Sequence, residues 1–167
     1  MFDRIIAMRS ALLAVSLSVG ATALAQTADR GCIELKTVAE VQEAYVDERG
    51  NPATRLVPAA KVVPGDEVTW TIVANNVCTT PAGDVAITNP VPQHMHYVGS
   101  SAFGPGAAIE FSLDGSTFAA PEALVVAEAD GSRRQARADE YSAIRWVLPR
   151  AMGPSESLMV RYRATVL

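Results

Sequence analysis

The stretch VVPGDEVTWTIVANN, residues 62–76, carries the clearest hydrophobic pattern in the chain. Val68, Trp70, Ile72 and Ala74 fall on one side, and Glu67, Thr69 and Thr71 on the other. A period of two marks a half-buried β-strand. Pro64-Gly65-Asp66 ahead of it is a turn signature, since proline presets φ and glycine supplies a positive one. Asn75-Asn76 and then Pro81-Ala82-Gly83-Asp84 break the strand, and a second short strand is predicted over 85–88. Asn89-Pro90-Val91-Pro92 stops that one, because proline lacks the N–H that a ladder needs.

The same alternation recurs along the chain. Ile33-Glu34-Leu35-Lys36-Thr37-Val38 reads as a strand, and Glu48-Arg49-Gly50-Asn51-Pro52 as a turn. Residues 38–63 therefore predict a long hairpin extending the first strand. A helix over 38–46 is the alternative, since AEVQEA holds helix formers, while Thr37, Tyr45 and Val46 favour strand. Further strands are predicted at 96–98, 107–113 and 124–127, with another candidate at Thr117-Phe118. Asp114-Gly115 is a hairpin signal, and 130–139 reads as a polar loop or short turn. Ile144, Trp146 and Leu148 define one late strand, and Leu158, Val160, Tyr162, Ala164 and Val166 another. About seven to nine short strands without a convincing helix predict an all-β, antiparallel, immunoglobulin-like β-sandwich. Trp70 and Trp146 sit on apolar faces and are expected as core anchors.

The N-terminus has a different pattern. Arg4 and Arg9 form a basic segment, residues 11–19 an apolar one, and Ala23-Leu24-Ala25 a small-residue cleavage site. This is the layout of a signal peptide over 1–25, with a mature chain from Gln26 and an extension over 26–32 ahead of the domain at 33–167. The apolar run is shorter than the roughly 20 residues a bilayer requires, so no transmembrane segment is expected after cleavage. Asp29-Arg30-Gly31 precedes Cys32 where a lipoprotein would carry a lipobox. The expected destination is the periplasm, the cell envelope or the exterior.

Composition narrows the function classes. The formal net charge is −4 over 167 residues, which argues against a nucleic-acid or anionic-membrane surface. Arg133, Arg134 and Arg137 cluster, but Glu128, Asp130, Asp139 and Glu140 flank them, as expected for a solvated loop. The two cysteines, Cys32 and Cys78, are the candidate disulfide. Export permits it, an even count favours it, and closing such a loop would stabilise the fold by about 3–4 kcal/mol.

PGDEVTWTIVANN, AGDVAITNPVP and HYVGSSA, followed by SLDG, IRW and the GP…V ending, resemble the DUF11 family of repeat domains, over roughly 34–167. The resemblance implies an immunoglobulin-like sandwich of secreted or surface proteins, where such domains often occur in tandem. A single copy is expected here, without an anchor, sorting signal or second domain. The family supplies no catalytic residues to transfer.

Candidate chemistry is sparse. His94 and His96, spaced i and i+2 on a strand, would point the same way and could begin a metal site, with a third ligand required from a distant carboxylate or from Cys78. The alternative has Met95 packing inward as a plug. Cys78 has no orienting group for nucleophilic work. Asp114-Gly115-Ser116 starts like a calcium loop but lacks the ligand series. An isopeptide bond from Lys36 to Asn75 or Asn76, with Glu34 or Glu67 as proton shuttle, requires a buried lysine. Alternation instead places Lys36 toward solvent. No catalytic, metal or cofactor site is expected, and the protein is read as a non-enzyme. The expected role is protein contact or self-association, with the closing strand at a free sheet edge. The alternative is glycan or peptide binding by loops at 91–96 and 103–107.

Overall fold

The computed structural model describes residues 31–167, so the leader pattern at 1–25 lies outside the described residues. Ten strands and two single-turn 3-10 segments follow in order. They are β1 (Ile33–Val46), β2 (Pro52–Pro58), β3 (Glu67–Asn76), β4 (Ala86–Pro90) and β5 (Met95–Tyr97). Next come β6 (Ala108–Ser112), β7 (Val125–Ala127), β8 (Arg133–Gln135), β9 (Ala143–Val147) and β10 (Ser157–Val166). The 3-10 turns are Pro121–Ala123 and Ala138–Glu140.

All strand pairs are antiparallel. Five strands form one sheet in the order β2-β1-β3-β10-β5, and three form another in the order β4-β9-β6. The inward residues of both sheets meet in one core, an all-β arrangement consistent with a β-sandwich. Ile72, Ala74, Val160, Tyr162 and Ala164 come from the larger sheet, and Ile87, Phe111, Ile144 and Trp146 from the smaller. The alternation predicted for β3 and β10 is the burial pattern observed, with every second residue of 158–164 buried.

Tyr162 joins the layers. Its ring lies 6.2 Å from Trp146 and 6.4 Å from Trp70. Its hydroxyl accepts a hydrogen bond from Asn89 Nδ2 at 2.7 Å and donates to Pro90 O at 3.2 Å. Burial pushes its pKa up to about 12. Trp146 is fully buried, as expected of an anchor, whereas Trp70 is half-buried at the margin of the core. Gly104 is fixed by this packing, because a Cβ there would stand 2.5 Å from Trp146 Cδ1.

Four local expectations are corrected. β10 is an interior strand, paired to β3 on one side and β5 on the other, with Phe103 bridging Arg161 beyond β5. It is therefore not an edge strand of the sheet. The polar segment 130–139 holds the strand β8 as well as the expected short turn, because β8 pairs with β7 and Arg134 ties the hairpin to that turn through Glu128 and Glu140. Thr117 and Phe118 form no strand, because Thr117 folds back on Asp114 and only Ala119 bridges to Phe111. β4 runs on to Pro90, which its terminal position on an edge strand permits.

Candidate functional site

Most residues singled out from the sequence are occupied structurally. Cys32 and Cys78 are joined by a disulfide with Cα atoms 5.1 Å apart, closing the start of β1 onto the loop after β3. Asn76 lies beneath it and is buried. Its Nδ2 donates to Thr80 O, Met152 O and Gly153 O, and its Oδ1 accepts from Cys78 N–H. That amide clamps the loop after β3 to the loop before β10. Lys36 is exposed and pairs with Val73, so it lies on the outer face, opposite to Asn76. The buried setting that isopeptide chemistry demands is missing at Lys36.

The histidines do not share a strand face. His94 sits in a turn with φ 63° ahead of β5, and only His96 lies in the strand, its Nδ1 2.8 Å from Asp139 O. Met95 packs against the core between them. Among the described residues no group of three or more His, Cys, Asp or Glu side chains is placed to hold a metal ion. The Asp114 carboxylate is consumed by its own turn, accepting from Ser116 N–H, Thr117 N–H and the Ser112 and Thr117 hydroxyls. Those bonds, the Thr117 and Ser116 amides foremost, hold its pKa far below the usual carboxylate range.

The unsatisfied surface lies on β1 and β2. Side chains of paired residues project to the same side, so Leu35, Thr37, Ala39 and Val41 share the inward face with Ala74, Ile72, Trp70 and Val68. The three-stranded sheet does not extend over them. Leu35 is 51% exposed although it points toward the core side. β1 leaves β3 after Val41, and residues 42–46 pair with β2 alone. At about 3.3 Å per residue, the hairpin projects roughly 17 Å. Five large apolar side chains on these two strands are exposed: Leu35, Val38, Tyr45, Val46 and Leu56. Val62 and Val63 in the connection to β3 are exposed as well. On the projecting arm, Arg55 lies over the Tyr45 ring at 5.2 Å and pairs with Glu43 at 2.6 Å.

The free edge of the arm is restricted. Alternate residues of an antiparallel strand turn their backbone polar groups to opposite neighbours. Asp47 N–H donates to Asn51 O and Ala59 N–H to Ala39 O, which sets the phase. Residues 53, 55 and 57 therefore bond to β1, while 52, 54, 56 and 58 face outward. Two of those four are Pro52 and Pro58, leaving only Thr54 and Leu56 with an N–H to donate. The hairpin thus exposes apolar faces but offers little edge for strand addition. Sequence reasoning found the hairpin and missed its exposure, because alternation reports a face and not how far the opposing sheet extends.

No helix among the described residues is long and apolar enough to cross a membrane. Comparison with models of protein families, with curated proteins and with solved structures finds no match.

Proposed function

We propose that this chain is an exported, non-catalytic immunoglobulin-like module of the DUF11 kind that works by protein contact through the β1–β2 flank. The overhanging hairpin is the observation that carries this reading. On the arm itself Tyr45 is exposed on one face and Val46 and Leu56 on the other, apolar groups that a protein partner would cover. The disulfide and the leader pattern support an oxidising compartment outside the cytoplasm, where such bonds persist. Contact is made with side-chain faces rather than by extending the sheet, since the β2 edge has two usable donors and β10 is an interior strand.

The test is the native size of the protein gently extracted from its own cells, measured by light scattering. A tag directly after Gln26 leaves the hairpin and β10 untouched. The expected result is a species heavier than the domain, reduced to domain size by the double variant Leu35→Lys, Tyr45→Glu. A monomer of about the domain's mass in the unmodified protein contradicts the proposal.

A further inference from the structure

The side of the molecule where β5 and β6 end contains a cavity of about 340 Å³. Tyr97, Ile109, Phe111, Pro121, Ala138 and Tyr141 contribute to its wall. The volume lies at the lower end of the range for small-molecule sites, about 300–1,000 Å³. Three of these side chains are aromatic and packed on one another. Tyr97 is 5.2 Å from Phe111, and Phe111 is 4.6 Å from Tyr141.

Two hydroxyls in this wall have protons without an acceptor among the described residues. Tyr141 is only 7% exposed, yet its hydroxyl makes no hydrogen bond there. Tyr97 is 4% exposed, and its hydroxyl accepts from Ala102 N–H at 3.0 Å while donating to none of them. Neither hydroxyl is a buried atom left without a partner, since among the described residues only Trp70 Nε1 and Trp146 Nε1 are in that state. A carbonyl entering the cavity would take the place of water at these two donors. Burial, with the nearby Tyr97, Glu122 and Glu140, pushes the Tyr141 pKa up, so the group stays a neutral donor across physiological pH. The Glu122 carboxylate, in no ion pair among the described residues, disfavours an anionic guest, while Glu140 is already paired to Arg134. Beyond the two phenols, Ser100 is the one polar side chain in the wall, too little to satisfy the hydroxyls of a sugar.

We infer that this cavity binds a neutral, flat, mostly apolar small molecule carrying a hydrogen-bond acceptor, of the aromatic ketone or ester class, with Tyr141 and Tyr97 donating to the acceptor. Phe111 and Ile109 supply the apolar wall. The site lies among β5, β6 and the two 3-10 turns and uses none of the hairpin residues.

Acetophenone is the probe, and toluene, of similar shape without the acceptor, is its control. Both are titrated into the mature protein while the Ile109 methyl and Tyr141 ring resonances are followed by NMR. Acetophenone should saturate with a Kd at or below about 1 mM, weak as befits so few atoms. Tyr141→Phe keeps the ring and removes the donor. It should raise the Kd for acetophenone about five-fold and leave that for toluene unchanged, the effect of one hydrogen bond. Ala138→Phe fills the space and should abolish binding of both, with near-ultraviolet circular dichroism reporting that the aromatic packing survives. Absence of saturation overturns the inference. So does equal weakening of both probes by Tyr141→Phe, which needs no refolded cavity to interpret.

Discussion

The two flanks of the sheet pair are finished differently. At the β5–β6 flank, Tyr97, Phe111 and Tyr141 interlock between the sheets, and the Ala138–Glu140 turn lies against β5. Arg134 then binds Glu128 and Glu140, fastening the β7–β8 hairpin to that turn. At the other flank, β1 and β2 run beyond the smaller sheet, and Leu35 and Tyr45 remain uncovered. One flank is closed by aromatics and ion pairs; the other retains its apolar side chains but places prolines along its free edge. That combination keeps a face available while limiting uncontrolled strand pairing, which bare edges invite.

Truncation of matched aromatics should show the largest contrast. Phe111→Ala on the closed flank is expected to cost about 3–5 kcal/mol by cavity formation. Tyr45→Ala on the open flank should stay within about 0.5 kcal/mol. Urea unfolding of the purified domain measures both, and similar losses would erase the distinction.

The disulfide comes next, because it anchors the strand from which the open flank departs. Replacing Cys32 and Cys78 together by serine should lower stability by about 3–4 kcal/mol, from the entropy regained by the unfolded chain. The same urea experiment reads it, with hydrogen exchange expected to rise first in β1 and β2.

Acid should act on the closed flank and on the turn before β10. Hydrogen bonds from Arg134 and then from Arg137 N–H bring Glu140 down to about 2, and Arg150 and Gly153 N–H do the same for Glu156. Folded values below the ordinary 4.5 mean that these groups stabilise the fold above about pH 4.5. The contribution is lost as pH falls through about 2. Urea midpoints at pH 6, 4 and 2 should decline, and Glu140→Gln should flatten part of that decline.

The smallest effect belongs to the arm's own ion pair. Arg55 and Glu43 are 59% and 48% exposed, so Glu43→Gln should change stability by less than about 1 kcal/mol. Any change should fade as salt is added.

Much of the fold was legible because β3, β9 and β10 keep the alternation of half-buried strands, β1 alternates in sequence over 33–38, and the turn at 47–51 is written in Asp, Gly and Asn. β8 was not legible. Arg133, Arg134 and Gln135 have no apolar period, and their strand exists through pairing with β7 and the ion pairs of Arg134. The central place of β10 was hidden too, since alternation does not encode the order of strands in a sheet. Asn76 looked like a polar strand end, but its partners Met152 and Gly153 lie far along the chain. The cavity was invisible for the same reason, as Tyr97, Phe111 and Tyr141 come from separate elements. For the histidines, the backbone of His94 cancelled an i, i+2 geometry that strand spacing alone implied.

The most direct test of the open flank is site-specific photocrosslinking in the native cells. A photoreactive residue at Tyr45 is compared with one at Val125, which is 48% exposed on β7. A discrete protein adduct is expected from position 45 and none from position 125. Adducts of equal yield from both positions, or none from position 45, would contradict the assignment of the hairpin as the contact surface.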